Sequence, residues 1–350
     1  IIGGGASGHL IANKLSRKYQ VAIVEKGLDH NFLDNFLINF PIGSFVNLNR
    51  KKLTKNYICE SSKYLKHRKL KWPRGETIGG SSSINGLVYK RGEEDDFKDL
   101  YKKELIDIKW KQIEELYSEN EKELGIKINE NYQNSLRDNN DIVDKFLKSC
   151  ENRSFKKLNS FIENSDFISS CAKYDLTLKN GKRTYSKNIY KSKKKHLKIF
   201  TQSLVSKILI ENKKAIGVEF LKNKKRIKIY CNKEIVLSAG TINSPKILQL
   251  SGIGDENFLK NFNIKINQNN NFVGKNLRDH LQTKLTYQIN TRSNFNYLRK
   301  NIFGFFFLKN VLKYLISKQG MFSSGPIQAG AFPGKNHGYQ KYNFQLNLLL

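Results

Sequence analysis

The chain has 350 residues, enough for roughly two domains of about 100–200 residues each, and 39% apolar content with 24 glycines excludes wholesale disorder. Lys and Arg number 62 against 31 Asp and Glu, a net charge of +31. That balance suits a polyanion or an anionic membrane surface, but lysine recurs here with Asn and Ile, as AT-rich coding also produces, so charge alone selects no partner. Cys59, Cys150, Cys171 and Cys231 stand singly without a CxxC pair. They fit neither a zinc site nor a disulfide framework and favour a reducing, cytoplasmic compartment. No apolar run reaches the ~20 residues that span a bilayer. The nearest, residues 302–316, is interrupted by Lys309 and Lys313 and is expected as a buried helix. The sequence opens without Met, inside a glycine motif, and ends in a strand-like run at 344–350. It is therefore expected to be part of a longer polypeptide, whose targeting cannot be judged from it.

In chain order, Ile1-Ile2 reads as the end of a strand running into Gly3-Gly4-Gly5-Ala6-Ser7-Gly8. Leu10, Ile11, Ala12 and Leu15 give the next segment a helical face. Val21-Ala22-Ile23-Val24 is an apolar run of the buried parallel-strand kind, ending at Glu25. This order predicts a β-turn-α-β unit opening a dinucleotide-binding α/β fold. Residues 28–71 read as loops and short helices. Residues 97–124 read as helical, with Trp110, Ile113, Leu116 and Tyr117 as core residues on one face, whereas 125–190 are Lys- and Asn-rich and carry little signal. Strands are predicted at 197–201, 205–210, 215–220, 226–230 and 234–238, with a hairpin turn at Glu211-Asn212-Lys213-Lys214.

Three segments carry chemistry. The first is Gly3-x-Gly5-x-x-Gly8 between strand and helix. There glycine permits the tight turn, close approach of backbone to a pyrophosphate, and helix–strand packing. The helix start offers free N–H groups and a positive dipole end to phosphate. Glu25, at the end of the second strand, is placed to accept from adenosine ribose hydroxyls, and an acid there favours NAD or FAD over NADP. The second is Gly79-Gly80-Ser81-Ser82-Ser83-Ile84-Asn85-Gly86, a turn rich in hydroxyl and N–H donors that suits an anionic or heteroaromatic edge or serves as an ordinary polar turn. The third runs from Ser238-Ala239-Gly240 to Gly252-Ile253-Gly254. Ser244 reads as the N-cap of a short helix with Pro245 at its first position and Gly252 as its stop.

Together these segments resemble the glucose–methanol–choline (GMC) flavin oxidoreductases. Residues 79–85 are similar to the first family signature and 240–254 to the second. Val205-Ser206-Lys207-Ile208-Leu209, Gly217-Val218-Glu219 and residues 273–280 agree in order, and the resemblance covers residues 1 to about 282. It implies a Rossmann-like FAD-binding domain from residues 1–100 and 196–285, interleaved with a partial substrate or cap domain from 101–195 and 286–350. It further implies that Gly3, Gly5, Ser7 and Gly8 hold the pyrophosphate and Glu25 the ribose. Thr77, Gly79, Gly80, Asn85, Gly86, Leu87 and Val88 would meet the flavin and its ribityl chain, Val205 the adenine, and Ala239 and Gly240 the cofactor's edge.

Where some relatives tether FAD through a histidine before the matching Asn, this chain has Ile84, so binding is expected to be non-covalent. Gln328 matches a position that is glutamate in choline-specific relatives, and its neutrality argues against choline. Asp279-His280 is expected to be structural. The implied reaction is oxidation of a small-molecule alcohol, with a histidine removing the hydroxyl proton and hydride passing to flavin N5. The acceptor is left open between oxygen, a quinone and another carrier. None of His9, His30, His67, His196, His280 or His337 matches the catalytic histidine, which is expected beyond residue 350, so no catalytic residue is named and the stretch alone is expected to be inactive. An NAD-linked dehydrogenase accounts for the first segment only. A polyanion or membrane-surface binder would rest on lysine runs at 63–71, 191–198 and 222–228, which lack interleaved aromatics; no nucleic acid is expected as a partner, and nothing supports membrane association.

Overall fold

The computed structural model describes residues 1–104, 106–126, 140–162, 168–185, 195–287, 304–334 and 344–349. The chain divides into two compact units, Ile1–Asn35 with Val46–Ile84 and Tyr185–Thr286, and Phe36–Phe45 with Asn85–Thr184 and Tyr287–Leu350. Helices and strands mix in both, as the α/β reading expects.

The first unit holds a parallel array. Val21–Val24 pairs in parallel with Leu197–Phe200, and Ile2 bridges Val24 on one side and Leu237 on the other. Parallel neighbours need a crossover, and the Ala6–Leu15 helix supplies the one between Ile2 and Val21. That helix buries Gly8, His9, Ala12 and Asn13, while Leu10, Ile11 and Leu15 are only half-buried. The contact face is therefore rotated from the predicted one, because Gly8 and Ala12, one turn apart, present the small surface that lets the helix close on the strands. The strand expected at 234–238 is reduced to a bridge at Leu237, anchored by Ile2 N–H on the Val236 carbonyl and Ser238 N–H on the Ile2 carbonyl, both at 2.8 Å.

Leu204–Glu211, Lys214–Lys222 and Lys225–Tyr230 form an antiparallel meander. Its turns place Asn212 and Lys213 at φ +48° and +62°, and Asn223 and Lys224 at +49° and +62°, the paired positive φ of type I′ hairpins. Alternation places Val218 and Phe220 on one face, and a register shift between Val205 and Lys207 brings Val205 and Ile208 together there, in one cluster with Ile2, Val24 and Ile247. The following helix spans Gly240–Leu250 with Ala239 as N-cap and Pro245 inside it, so it begins ahead of the predicted start at Ser244. Pro245 lies in its second turn and withholds only the bond to the Thr241 carbonyl. Gly252, at φ +79°, follows the Ser251 C-cap as predicted. Residues 54–58, within the stretch read as loops and short helices, instead form an antiparallel ribbon, Thr54–Ile58 with Lys71–Gly75.

In the second unit a four-stranded sheet runs Leu346–Leu349, Ile327–Phe332, Ser170–Lys173, Lys156–Lys157. The Asn140–Glu151 helix lays Val143, Leu147 and Cys150, an i, i+4, i+7 stripe, against Cys171, Ala329 and Ala331. Alternate residues Ala172, Tyr174 and Phe332 join Leu87, Leu158, Phe161 and Leu176 in a separate cluster. The helical stretch predicted over 97–124 is two helices, Glu94–Lys102 and Trp110–Leu124. Its supposed core face is corrected: Trp110, Ile113 and Tyr117 are half-buried and Leu116 is exposed. The buried residue of that helix is Glu121, held by Arg91 at 2.6 and 2.7 Å and by the Tyr89 hydroxyl at 2.8 Å. The Phe305–Ser317 helix is likewise not the buried helix expected. Tyr314 and Val311 pack with Phe40, Ile42 and Phe322, but Leu308, Leu312, Leu315 and Ile316 are exposed. Residues 302–303 lie outside the described ones. No helix among the described residues is long and apolar enough to cross a membrane.

Two buried ionic side chains give tests. In the first unit Asp34 is fully buried and accepts from Arg50 and Lys52, each at 2.7 Å. Burial pushes its carboxyl up, but bonds from Lys52, Arg50 and the Asn31 N–H outweigh that and hold it below the usual range. A depressed folded-state pKa stabilises above the unfolded value of about 3.9 and loses that contribution as pH falls through the folded value. Asp34→Asn is thus expected to destabilise by about 3 kcal/mol near neutral pH, with the difference from wild type shrinking below about pH 4, as urea unfolding at several pH values will show. In the second unit Arg183 is fully buried and donates to the Ile38 carbonyl, the Asn85 side-chain and backbone oxygens and Ser44 Oγ, at 2.5–3.0 Å. Arg183→Leu strands those acceptors and is expected to cost about 3 kcal/mol, read as a lowered thermal midpoint.

Candidate functional site

The first motif folds as a turn with no room for side chains. Gly3 sits at φ +98°, and a Cβ there would lie 2.5 Å from the Ser238 carbonyl oxygen; one on Gly8 would lie 2.0 Å from the Gly3 carbonyl oxygen. Gly5 has the opposite character, with nothing within 4 Å of where its Cβ would stand. The Ala6–Leu15 helix starts at Gly5 with no side-chain cap and no acid in its first turn, and Ala6 and Ser7 are exposed. Its first N–H groups have no intrahelical partner and carry the positive end of the helix dipole.

Glu25 is buried, and its two oxygens accept from Gly4 N–H at 2.6 Å and Gly27 N–H at 2.7 Å. Burial pushes its carboxyl above the usual range against the pull of those two N–H groups. It therefore braces the glycine turn, and each oxygen keeps a second lone pair for a further donor.

The second motif lies on the first. Gly79 N–H bonds the Gly4 carbonyl at 2.8 Å, and a Cβ on Gly80 would lie 2.9 Å from Gly5 Cα. Two of the expected hydroxyl donors are turned inward, Ser82 Oγ donating to the Gly79 carbonyl at 2.6 Å and Ser83 Oγ to the Ile78 carbonyl at 3.0 Å, whereas Ser81 is exposed and its Oγ accepts from Gly75 N–H at 3.1 Å. These serines brace their own turn. Thr77 is fully buried, its hydroxyl given to the Leu28 carbonyl at 2.9 Å and approached by His30 Nε2 at 2.7 Å.

The third motif closes the other side. Ser238 Oγ donates to the Ile2 and Gly3 carbonyls at 3.0 and 3.1 Å, and Ala239 Cα would stand 2.8 Å from a Gly3 Cβ. Gly240, at φ +82°, has nothing within 4 Å of its Cβ position, and the helix it opens has neither a side-chain cap nor a first-turn acid. Val205 is buried two residues beyond Ser203, whose N–H bonds the Glu25 carbonyl at 2.9 Å.

The structure thus brings together Gly3, Gly5, Ser7, Gly8, Glu25, Thr77, Gly79, Gly80, Val205, Ala239 and Gly240 within the first unit. Asn85, Gly86, Leu87 and Val88 belong to the second. There Asn85 Oδ1 accepts from Arg183 at 2.6 Å and from Leu87 N–H at 3.2 Å. Leu87 is fully buried at φ +73°, a strained conformation for a branched residue. Val88 pairs with Leu176. Gln328 is fully buried in the second unit with Nε2 on Ser324 Oγ at 3.1 Å. His280 is exposed, its N–H on Asp279 Oδ1 at 2.9 Å, and His337 lies outside the described residues. Sequence reasoning missed Gly27, His30 and Tyr185, and gave Ser238, the first residue of the third motif, no role of its own. Gly27 alone had a legible signal, a glycine two places after the strand-end acid; a Cβ on it would lie 2.3 Å from Thr77 N.

The fit to an anionic dinucleotide rests on this cradle: two uncapped helix starts, and two glycines, Gly5 and Gly240, facing open space. Comparison with known proteins agrees. The GMC oxidoreductase family profile matches residues 1–282. An alcohol dehydrogenase [acceptor] of Pseudomonas putida is 29% identical, over 100% of this chain and 64% of its own length. The mitochondrial choline dehydrogenase of Mus musculus is 28% identical, over 98% of the chain and 60% of its own length. The chain thus spans a little under two thirds of these relatives. Among solved structures, a formate oxidase superposes with a TM-score of 0.78 at 21% identity, covering 95% of this chain and 60% of its own. A pyridoxine 4-oxidase superposes at 0.62 and 21% identity, covering 77% and 54%. The chain belongs to the GMC oxidoreductase family, whose members bind FAD.

Proposed function

We propose that the chain forms the cofactor domain, residues 1–100 and 196–285, and part of the substrate domain, residues 101–195 and 286–350, of an enzyme oxidising a CH–OH donor to an aldehyde, ketone or lactone. The observation that carries this reading is the open backbone surface at Gly5 and Gly240 between the uncapped starts of the Ala6–Leu15 and Gly240–Leu250 helices. Bound FAD would supply the hydride acceptor for the carbinol. The chain's residues bind and orient. The first-turn N–H groups of Ala6, Ser7 and Gly8 hold the pyrophosphate and Glu25 the ribose hydroxyls, with Val205 against the adenine. Gly79, Gly80, Ala239 and Gly240 offer backbone, Thr77 holds the turn from behind, and Asn85, Gly86, Leu87 and Val88 serve the flavin end.

Ile84 offers no nucleophile for a covalent tether, so binding is non-covalent. The substrate is a small-molecule alcohol and the acceptor oxygen, a quinone or another carrier; the proton-abstracting base is assigned to no residue of this chain. Four free thiols support a reducing, cytoplasmic location. An NAD-linked reading gains nothing from the family match, which takes in residues 79–85 and 240–254 as well as the first motif.

Purified protein supplied with FAD should show visible flavin bands, and acid denaturation should release the yellow colour into the supernatant. A colourless protein that binds NADH instead sinks the proposal. In the polypeptide of the relatives' full length, an alcohol added anaerobically should bleach those bands. Gly5→Ala separates binding from folding: its Cβ meets no protein atom within 4 Å, so the thermal midpoint should stay at the wild-type value while FAD affinity falls about tenfold or more, the methyl occupying the pyrophosphate's approach.

A further inference from the structure

His30 carried no sequence signal, yet it joins two groups far along the chain in the first unit. The residue is 9% exposed. Nε2 stands 2.7 Å from Thr77 Oγ1, and Nδ1 3.2 Å from the Tyr185 hydroxyl, 155 positions away. Proton count fixes the polarity. Thr77 has one hydroxyl hydrogen and gives it to the Leu28 carbonyl at 2.9 Å, so toward His30 it accepts, and Nε2 carries the hydrogen. In that tautomer Nδ1 is the acceptor for Tyr185 O–H at 3.2 Å, and Asn35 Oδ1 lies farther from that hydroxyl at 3.5 Å.

Both groups that His30 links flank the turn over the glycine cradle. Thr77 forms a parallel bridge with Leu28 and precedes Ile78-Gly79 by one residue. The Tyr185 ring covers Gly79 so closely that a Cβ there would lie 2.8 Å from its Cδ2. Gly79 N–H in turn bonds Gly4 at 2.8 Å. His30 thus holds Thr77 below the turn and Tyr185 against it.

We propose that His30 is a positioning residue for FAD: through Thr77 and Tyr185 it fixes the Gly79-Gly80 backbone against Gly4-Gly5 without touching the cofactor. This rests on the FAD reading above.

The test is FAD titration of wild type, His30→Phe, His30→Gln and Tyr185→Phe, followed by flavin absorbance and fluorescence, with circular dichroism of each cofactor-free protein. His30→Phe keeps a ring but neither bond, and its dissociation constant should rise about tenfold, the worth of one or two buried hydrogen bonds. His30→Gln retains an N–H for Thr77 and should recover most of the affinity; a role in packing alone would show no such rescue. Should His30→Phe fail to fold, Tyr185→Phe, which deletes a single oxygen, is expected to weaken binding several-fold. Wild-type affinity and an unchanged bound-flavin spectrum in a folded His30→Phe, or in Tyr185→Phe where His30→Phe does not fold, overturn the inference alone. A wild type that takes up no FAD overturns the reading beneath it, and this inference with it.

Discussion

The first unit depends on one steric constraint: backbone must touch backbone around Gly3. A Cβ on Gly8 would stand 2.0 Å from the Gly3 carbonyl oxygen and one on Gly3 2.5 Å from that of Ser238. Neither neighbour is a flexible side-chain end that could yield. A glycine within a helix costs about 0.5–1 kcal/mol relative to alanine, so Gly8 is intelligible only through what it permits. It lets the Ala6–Leu15 helix begin directly on the turn, with its first N–H groups aimed at the surface that Gly5 leaves open. Segments near residues 3, 79 and 239 then share a few ångströms of space without a side chain between them.

Electrostatics follows from that placement. Two helices open without a side-chain cap or a first-turn acid, although a polar cap is typically worth about 1 kcal/mol. The hydroxyl nearest to hand, on Ser238, is turned to the Ile2 and Gly3 carbonyls instead. The acid of the motif, Glu25, is held by Gly4 and Gly27 behind the turn. Uncapped positive helix ends beside open backbone are the arrangement a pyrophosphate needs.

What the sequence made legible is what local rules govern. The glycine spacing of residues 3–8, the apolar run 21–24, the hairpin at 211–214 and the stop at Gly252 are set within a few residues of themselves. The illegible features depend on distant partners. Pattern alone cannot tell that Leu308, Leu312 and Ile316 are exposed, or that Ser82 and Ser83 turn back on their own loop. His30 was invisible for the same reason, since Thr77 and Tyr185 lie 47 and 155 positions away. Arg183 was lost among many cations, though Asn85 and Ser44 are organised around it.

Arg183 also shows why the net charge of +31 says little about mechanism. It is the one fully buried Lys or Arg among the described residues. A buried cation must be hydrogen-bonded at specific atoms and so specifies geometry, whereas a solvated lysine is screened within about 10 Å and specifies almost none. The run at 222–228 behaves as the second kind: Lys224, Lys225, Arg226 and Lys228 lie exposed along a hairpin. Lysines of that sort can be gained or lost with little consequence for the fold. A methyl group on Gly8 cannot, because no rearrangement short of unseating the helix gives it space.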